Sequence, residues 1–273
     1  MKNMQYLIAV DLEGVHGVVG EAYKGLSKTC QDYKLATENA IKEINAAVEG
    51  LFEAGAETVA VWDNHAGGGN LDFSQIDPRV IRVTNTQTAS YERLGFAKDF
   101  SFSGILYIGY HSKAGTVNGV LAHTYSSATI QYYKVNGRAV GELDVDSWAA
   151  AERGIAPLFC ASDDAGVKQA LEIEAQMCTV TTKYGTGRNS AEFRPEEDVL
   201  KEIKENAGLC VTKSIKPKKL QFPAIFEVRY TRLEDAVKRL ETVLSKNLEA
   251  KFGEDGHTIV ATLHQFTDLE KFL

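Results

Sequence analysis

Residues 6–14 read Tyr-Leu-Ile-Ala-Val-Asp-Leu-Glu-Gly, an apolar run that ends in two closely spaced carboxylates. Five consecutive apolar residues without polar alternation are typical of a strand that is buried on both faces, as in the sheets of α/β proteins. Asp11, Glu13 and Gly14 then predict that the strand ends in a loop. Such a strand requires parallel neighbours and covering helices, and the downstream sequence offers both.

Helical and strand patterns alternate along the next part of the chain. A helical repeat of apolar residues covers residues 32–54, and Gly55 ends it. The hairpin signal Asn136-Gly137 separates two β-rich runs. Strands are predicted at 6–10, 58–62, 80–83, 104–110, 129–135, 139–140 and 156–161, and short helices at 90–99 and around 148–153. This alternation predicts an α/β fold with a mostly parallel sheet flanked by helices.

The last third of the chain has a different pattern. Residues 185–190 predict a loop or linker, because they are rich in Gly and polar residues. Beyond it, helices are predicted at 195–206 and 233–248 and strands at 222–230 and 258–263. We therefore predict a catalytic α/β domain over 1–190, which carries the functional site, and a smaller C-terminal α+β region over 191–273.

Composition and charge exclude several classes of function. The 273 residues carry a net charge of −7, and Lys and Arg are spread along the chain, which disfavours a nucleic-acid partner. The sequence has neither the pattern of a secretory signal nor an apolar run of about 20 residues, so no membrane partner is expected. The four cysteines are widely spaced and predict reduced thiols in a cytoplasmic protein: Cys30, Cys160, Cys178 and Cys210.

Three of the predicted buried strands end in a residue that can bind a metal. Asp11 follows the first, His65 follows the strand at 58–62, and His111 follows the strand at 104–110. Ligands of open α/β sheets bind outside the carboxyl ends of the strands, so these side chains are expected to meet at one edge. Glu13, two residues after Asp11, faces the same way if the chain stays extended.

A further carboxylate, Glu142, follows the hairpin in Val-Gly-Glu-Leu, where Gly141 allows a close backbone approach. Three carboxylates and two imidazoles suit zinc, with manganese or cobalt as substitutes. Five ligands exceed what one catalytic zinc takes, so we predict two divalent metal ions bridged by Asp11. His123 is close enough in sequence to His111 to return to the same place, and an unligated imidazole there can act as nucleophile, general acid or general base.

Other residues have less specific interpretations. His16 is either a spare ligand or, as we favour, a loop histidine, whereas His257 and His264 are interpreted as structural. Lys183 and Arg188 either bind a substrate carboxylate or belong to a solvated loop. Gly67, Gly68 and Gly69 lack the context of a phosphate-binding motif, and no GxSxG motif indicates a serine nucleophile.

The ordered set of motifs resembles the zinc-dependent D-aminopeptidase family. The segments that carry the resemblance are Asp11-Leu-Glu13-Gly14, Asp63-Asn64-His65, Gly109-Tyr110-His111, Ala122-His123-Thr124 and Asn136-Gly137-Arg138 leading to Gly141-Glu142-Leu143. Their order and spacing agree from the first strand to about residue 190. The resemblance implies a two-zinc site with Asp11, Glu13, His65, His111 and Glu142 as ligands and His123 as the catalytic histidine. It also implies a ring-like homo-oligomer, such as a decamer, with the sites facing an inner chamber.

The ligand set predicts a metal-dependent hydrolase, and the resemblance implies a metallo-aminopeptidase. It would hydrolyse short peptides or amides with a free N-terminal amine, with D-amino acids as the expected substrates. Another binuclear hydrolase of a small amide or a phosphoester would use the same ligands. A metal-stabilised binding protein is a third interpretation, which the carboxylate-rich ligand set disfavours because structural zinc sites are usually rich in cysteine.

Overall fold

The computed structural model describes residues 4–84 and 92–273, and within these ranges it contains thirteen strands and six α-helices. The strands are β1 (Gln5–Val10), β2 (Thr58–Asp63), β3 (Ile81–Val83), β4 (Gly104–Ile108), β5 (Ile130–Val135), β6 (Arg138–Val140), β7 (Ala156–Ser162), β8 (Cys178–Thr181), β9 (Lys183–Gly187), β10 (Ser190–Phe193), β11 (Ala224–Tyr230), β12 (Ala250–Phe252) and β13 (Thr258–Leu263). The helices are α1 (Tyr33–Glu53), α2 (Glu142–Glu152), α3 (Asp164–Ile173), α4 (Glu196–Cys210), α5 (Leu233–Ser245) and α6 (Phe266–Glu270).

The central element is a six-stranded sheet in the order β3-β2-β1-β4-β7-β8, and all of its neighbouring strands pair in parallel. The first strand has apolar side chains on both faces because each face is covered. Tyr6, Ile8 and Val10 pack in one apolar cluster with α1 and α4, and Leu7 and Ala9 belong to a second cluster on the opposite face. The predicted α/β fold, with a parallel sheet flanked by helices, is confirmed.

A second sheet, in the order β12-β13-β11-β5-β6, is antiparallel and contributes to the cluster that contains Leu7 and Ala9. Its strands come from both sides of residue 190, since β5 and β6 precede that position and β11, β12 and β13 follow it. The division of the chain at residue 190 stays a prediction. None of the helices in the described ranges combines the length and apolar character needed to cross a membrane.

One local prediction was wrong, and two predicted helices differ in extent from the structure. Residues 185–190 do not form a linker, because β9 and β10 pair there as an antiparallel hairpin, in which half-buried glycines mask the strand pattern. The helix predicted around 148–153 begins earlier, at Glu142, where the Asp144 carboxylate caps it by accepting the backbone N–H of Gly141 at 2.9 Å. Part of the helix predicted at 90–99 lies outside the described residues, and the rest contains only a 3₁₀ helix, Gly95–Asp99, because Leu94 has a φ of 59° and precludes a longer helix.

Candidate metal centre

The site lies where the strand order of the parallel sheet reverses direction. From β1 the chain continues to β2 and β3 on one side, and β4 then pairs with β1 on the other. Beyond the paired strands, the Asp11 N–H donates to the Ile108 carbonyl at 2.8 Å, and the Gly14 N–H donates to the Gly109 carbonyl at 2.7 Å. The loops after β1 and β4 therefore run side by side, as expected for a binding site at such a switch point.

Asp11, Glu13 and His65 form the first group of possible ligands. His65 Nδ1 lies 3.0 Å from Asp11 Oδ1 and 3.2 Å from Glu13 Oε2. Both carboxylates are buried, although Asp11 and Glu13 are charged residue types that seldom lie inside a protein. His65 lies two residues after the end of β2, in a one-turn 3₁₀ helix in which Ala66 adopts a left-handed conformation with a φ of 47°.

His111, His123 and Glu142 form the second group. Glu142 Oε1 is 3.3 Å from His111 Nε2 and 3.7 Å from His123 Nε2, and the two imidazoles stack with centroids 4.0 Å apart. Asp11 connects the groups, because its Oδ2 lies 3.5 Å from His111 Nε2 while its Oδ1 faces His65. All six residues singled out from the sequence thus meet at one edge of the sheet.

Each of the three imidazoles is oriented by a backbone carbonyl. One ring nitrogen lies within hydrogen-bond distance of that carbonyl, which leaves the other nitrogen directed toward the carboxylates. The pairs are His65 Nε2 with Leu26 O at 3.2 Å, His111 Nδ1 with Ser112 O at 3.0 Å, and His123 Nδ1 with Leu121 O at 2.8 Å. This is the arrangement typical of histidines that bind a metal, in which the hydrogen bond of one nitrogen fixes the tautomer and frees the other.

The electrostatics of the site reflect three carboxylates packed out of water. Burial, and then repulsion from Glu13, raise the pKa of Asp11 to about 7. Burial acts against the charged forms of His65 and His111, yet the carboxylates outweigh it and raise their pKa values to about 12 and about 10. Burial and the neighbouring His111 lower the pKa of His123.

These residues satisfy the requirements of a cation site. Among the described residues, Glu13 Oε2 is a buried oxygen that accepts no hydrogen bond, and it faces the same His65 nitrogen as Asp11 Oδ1. Within each group of three, the ligand atoms lie within 4.8 Å of one another. A dense set of carboxylate oxygens and imidazole nitrogens of this kind is the donor chemistry that zinc and similar divalent metals prefer.

Comparison with known proteins agrees with this geometry. The model of a family described as D-aminopeptidase matches residues 4–249. The chain belongs to this D-aminopeptidase family. A D-aminopeptidase of Bacillus subtilis (strain 168) is 27% identical over 187 residues, which cover 68% of this chain and 66% of that relative.

A solved structure with the same fold is the zinc-dependent D-aminopeptidase DppA from Bacillus subtilis, described as a self-compartmentalizing protease. It superposes with a TM-score of 0.84 at 20% identity, covering 97% of this chain and 93% of that one. The predicted membership of the D-aminopeptidase family is confirmed, and with it the prediction of an enzyme of the hydrolase class at the level of the family.

A buried polar network behind the ligands is also part of this D-aminopeptidase fold, and sequence reasoning missed it. Arg93 Nε donates to Asp146 Oδ1 at 2.5 Å, while the Tyr110 hydroxyl and Asn64 Nδ2 donate to Asp146 Oδ2 at 2.6 and 3.1 Å. Asn64 precedes His65 and Tyr110 precedes His111, so the network fixes the backbone next to two possible ligands. Both residues belong to the quoted motifs, but only the fold reveals their common partner.

A second support holds the loop that carries Glu13. Thr182 Oγ1 donates to the Gly14 carbonyl at 2.6 Å, and Lys183 Nζ donates to the carbonyls of Glu13 and Val15, both at 2.6 Å. Three consecutive carbonyls are thus held from the junction of β8 and β9. Lys183 is fully buried, so neither sequence interpretation was right: it is inaccessible to a substrate carboxylate and does not belong to a solvated loop.

The remaining histidines lie outside both groups. His16 Nε2 lies 2.8 Å from the Arg194 carbonyl, which agrees with the loop interpretation rather than with a spare ligand. His257 Nδ1 faces the Tyr230 carbonyl at 3.3 Å, and His264 lies at the surface. These contacts agree with structural roles.

Several cavities reach the candidate metal centre of this D-aminopeptidase family member: one of about 570 Å³ is lined by Glu142, and two others are lined by His123. Of these two, one, of about 240 Å³, is lined by Glu13, His65 and His123 among others. The other, of about 640 Å³, is lined by His123 but by no other member of the two groups. Arg188 lines both cavities. His123 therefore differs from His111, which is buried and lines neither of them.

Proposed function

We propose that this chain is a two-metal aminopeptidase that removes N-terminal D-amino acids from short peptides and amides. The observation that carries the proposal is the position of Asp11, whose two oxygens face two separate groups of possible ligands. Zinc is the proposed metal, because the donor set suits it and the solved relative is described as zinc-dependent. Family membership supports the proposed D-peptide substrates.

Asp11, Glu13 and His65 would hold one ion, and Asp11, His111 and Glu142 the other. The bound ions would supply Lewis-acid activation of the scissile carbonyl and of water. The chain itself keeps the ligands in place: Tyr125 donates its backbone N–H to Glu142 Oε1 at 2.7 Å, and Leu12 donates its own to Asp11 Oδ1 at 2.9 Å. These contacts fix the carboxylates before any ion arrives.

We assign proton transfer to His123. Its Nδ1 donates to the Leu121 carbonyl, so the neutral ring presents a lone pair at Nε2. That atom is farther from Glu142 than the corresponding atom of His111, and the residue lines both cavities. His123 can therefore receive a proton at Nε2 and pass it to the leaving amine. Because His123 also belongs to the second group of possible ligands, metal analysis has to separate the two roles.

The free amine of the substrate would lie at the Glu13 end of the smaller cavity. Among the described residues that line this cavity, Glu13 is the only carboxylate. Glu13 would also hold an ion, which compensates its charge, so the amine would bind beside it in the neutral form, as a ligand of that ion. We therefore expect substrates to need an unblocked N-terminus, because an acylated nitrogen is a poor metal ligand.

We further infer that the chain assembles into a homo-oligomer, as the description of the solved relative as self-compartmentalizing suggests. A ring of ten copies is our specific expectation. Cytoplasmic location is supported by the four cysteines, all of which are buried and free.

Metal content and turnover, measured together, test the proposal. After loading with zinc, we expect about two ions per chain in the wild type, fewer in His65→Ala and no loss in His123→Ala. His123→Ala should lose turnover of D-amino-acid amides, while the exposed control His264→Ala should keep both properties. Absence of stoichiometric metal after loading would refute the two-metal site, and full activity of His123→Ala would refute its role. A preference for L-amides or for a phosphodiester would replace the proposed substrate.

A further inference from the structure

The turn between β9 and β10 is attached to the segment that carries His123. The Leu121 N–H donates to the Arg188 carbonyl at 2.8 Å, and one Arg188 guanidinium nitrogen donates to the Ala122 carbonyl. Asn189 Nδ2 donates to the Val19 carbonyl at 2.9 Å and fixes the other side of the turn. Arg188 is therefore held beside His123, although its side chain is accessible from solvent.

The Arg188 guanidinium has no carboxylate partner within ion-pair distance among the residues that the structure describes. Two other cationic side chains do have a carboxylate partner. Arg194 binds Glu202 at 2.5 Å, and Lys24, which lines the smaller cavity, binds Glu21 at 2.6 Å. A guanidinium has five N–H donors, and among the described residues that of Arg188 forms only one hydrogen bond, to the Ala122 carbonyl. The remaining donors are available to a ligand.

The lining of the smaller cavity therefore combines two kinds of polar group. Glu13 and His65 are proposed metal ligands, and Arg188 contributes a positive charge that no carboxylate among the described residues compensates. The pair of Lys24 and Glu21 contributes little net charge, because the two groups neutralise each other. A short peptide has the matching groups: a terminal amine, which the ion held by Glu13 and His65 would bind in its neutral form, and a terminal carboxylate. Arginine is well suited to the carboxylate, because its donors match both oxygens.

We propose that Arg188 binds the C-terminal carboxylate of the substrate and so selects short peptides with a free C-terminus over the corresponding amides. The inference rests on the proposed aminopeptidase function and adds a subsite to it. Arg188 lines both cavities, so a ligand in either one meets the same guanidinium. The larger cavity would admit the leaving portion of the peptide after the bond is cut.

A paired-substrate measurement tests this subsite. The values of kcat/KM for D-alanylglycine and D-alanylglycinamide are compared in wild type, Arg188→Gln and Arg188→Lys. Loss of a charge-assisted contact should lower the value for the acid by about 10- to 100-fold in Arg188→Gln, with less than about a 3-fold change for the amide. Arg188→Lys should lie between wild type and Arg188→Gln, because it keeps the charge but not the paired donors.

The control is Arg79→Gln, which removes an exposed arginine bound to Asp77 and should leave both values unchanged. An equal fall for the acid and the amide in Arg188→Gln would overturn the inference, since it would mean that Arg188 only holds the segment of His123. An unchanged value for the acid would overturn it as well. Hydrolysis of neither substrate by the zinc-loaded wild type would instead refute the proposed function, and the subsite with it.

Discussion

Gly14 lies where the loop after β1 passes closest to the loop after β4, and Gly14→Ala is expected to separate them. A Cβ atom at residue 14 would lie 2.0 Å from the Tyr110 carbonyl oxygen, whereas ordinary contact begins at 3.4 Å. The two loops would have to move apart by about 1.4 Å, the difference between these distances. The φ of Gly14 lies outside the left-handed region, so the cost arises from the lack of space alone.

The expected cost follows from where the displacement occurs. Overpacking of a tight interior typically costs about 1–3 kcal/mol. We expect Gly14→Ala to cost about 3 kcal/mol, because the added Cβ meets backbone atoms of Gly109 and Tyr110 rather than a flexible side chain. The same displacement separates Asp11 and Glu13 on one loop from His111 on the other. Metal–ligand distances tolerate only about 0.2 Å of variation, so we expect metal content to fall toward one ion per chain.

Urea unfolding of the metal-free protein and elemental analysis of the zinc-loaded protein measure the two effects separately. The matched control is Gly253→Ala, whose Cβ would meet nothing closer than 3.4 Å and which lies in the C-terminal region. It should change the free energy of unfolding by less than about 0.5 kcal/mol. If Gly14→Ala were as stable as the control and kept its full metal content, the close approach of the two loops would not be what sets the geometry of the site.

Of three further substitutions, the first concerns Glu43, a buried residue of α1 that accepts the backbone N–H of His16, and the other two test the supports of the site. Burial raises the pKa of Glu43 to about 7, so the native state holds this proton more tightly than the unfolded chain does. The free energy of unfolding should therefore fall as the pH rises from about 4.5 to 7. In denaturant titrations, Glu43→Gln should remove that fall and raise the free energy of unfolding by about 2–3 kcal/mol above pH 7. Lys183→Met should cost about 2 kcal/mol in the same assay and weaken zinc retention, because two buried carbonyls lose their donor; unaltered zinc retention would argue against the support. Asp146→Asn should cost about 3 kcal/mol, because it removes the carboxylate that binds Arg93, and thermal unfolding that matches the wild type would contradict this.

The sequence predicted the parallel sheet and the six clustered residues well because both depend on local patterns. Continuous apolar runs mark buried strands, and a polar residue directly after such a run lies at the carboxyl edge of the sheet. Strand β13 has the bounds predicted for it, 258–263. Helix α1 begins and ends within one residue of its own predicted bounds, 32–54.

The errors have physical causes that sequence patterns do not contain. Helix α2 is buried on nearly all sides, so it lacks the apolar periodicity that marks an amphipathic helix. Strand β9 alternates glycine with exposed residues and owes its existence to pairing with β10. Lys183 is a surface residue by type, and only the fold places its ammonium group against the carbonyls of Glu13 and Val15.

The proposed ligands come from four separate segments of the chain, which only the assembled parallel sheet and helix α2 bring together. A partially synthesised chain that ends before Glu142 therefore has an incomplete site, and an unfolded chain has none. Zinc would bind the native state and not the disordered one, so its free concentration would shift the folding equilibrium by mass action. The melting temperature of the protein should therefore rise with the concentration of free zinc around it.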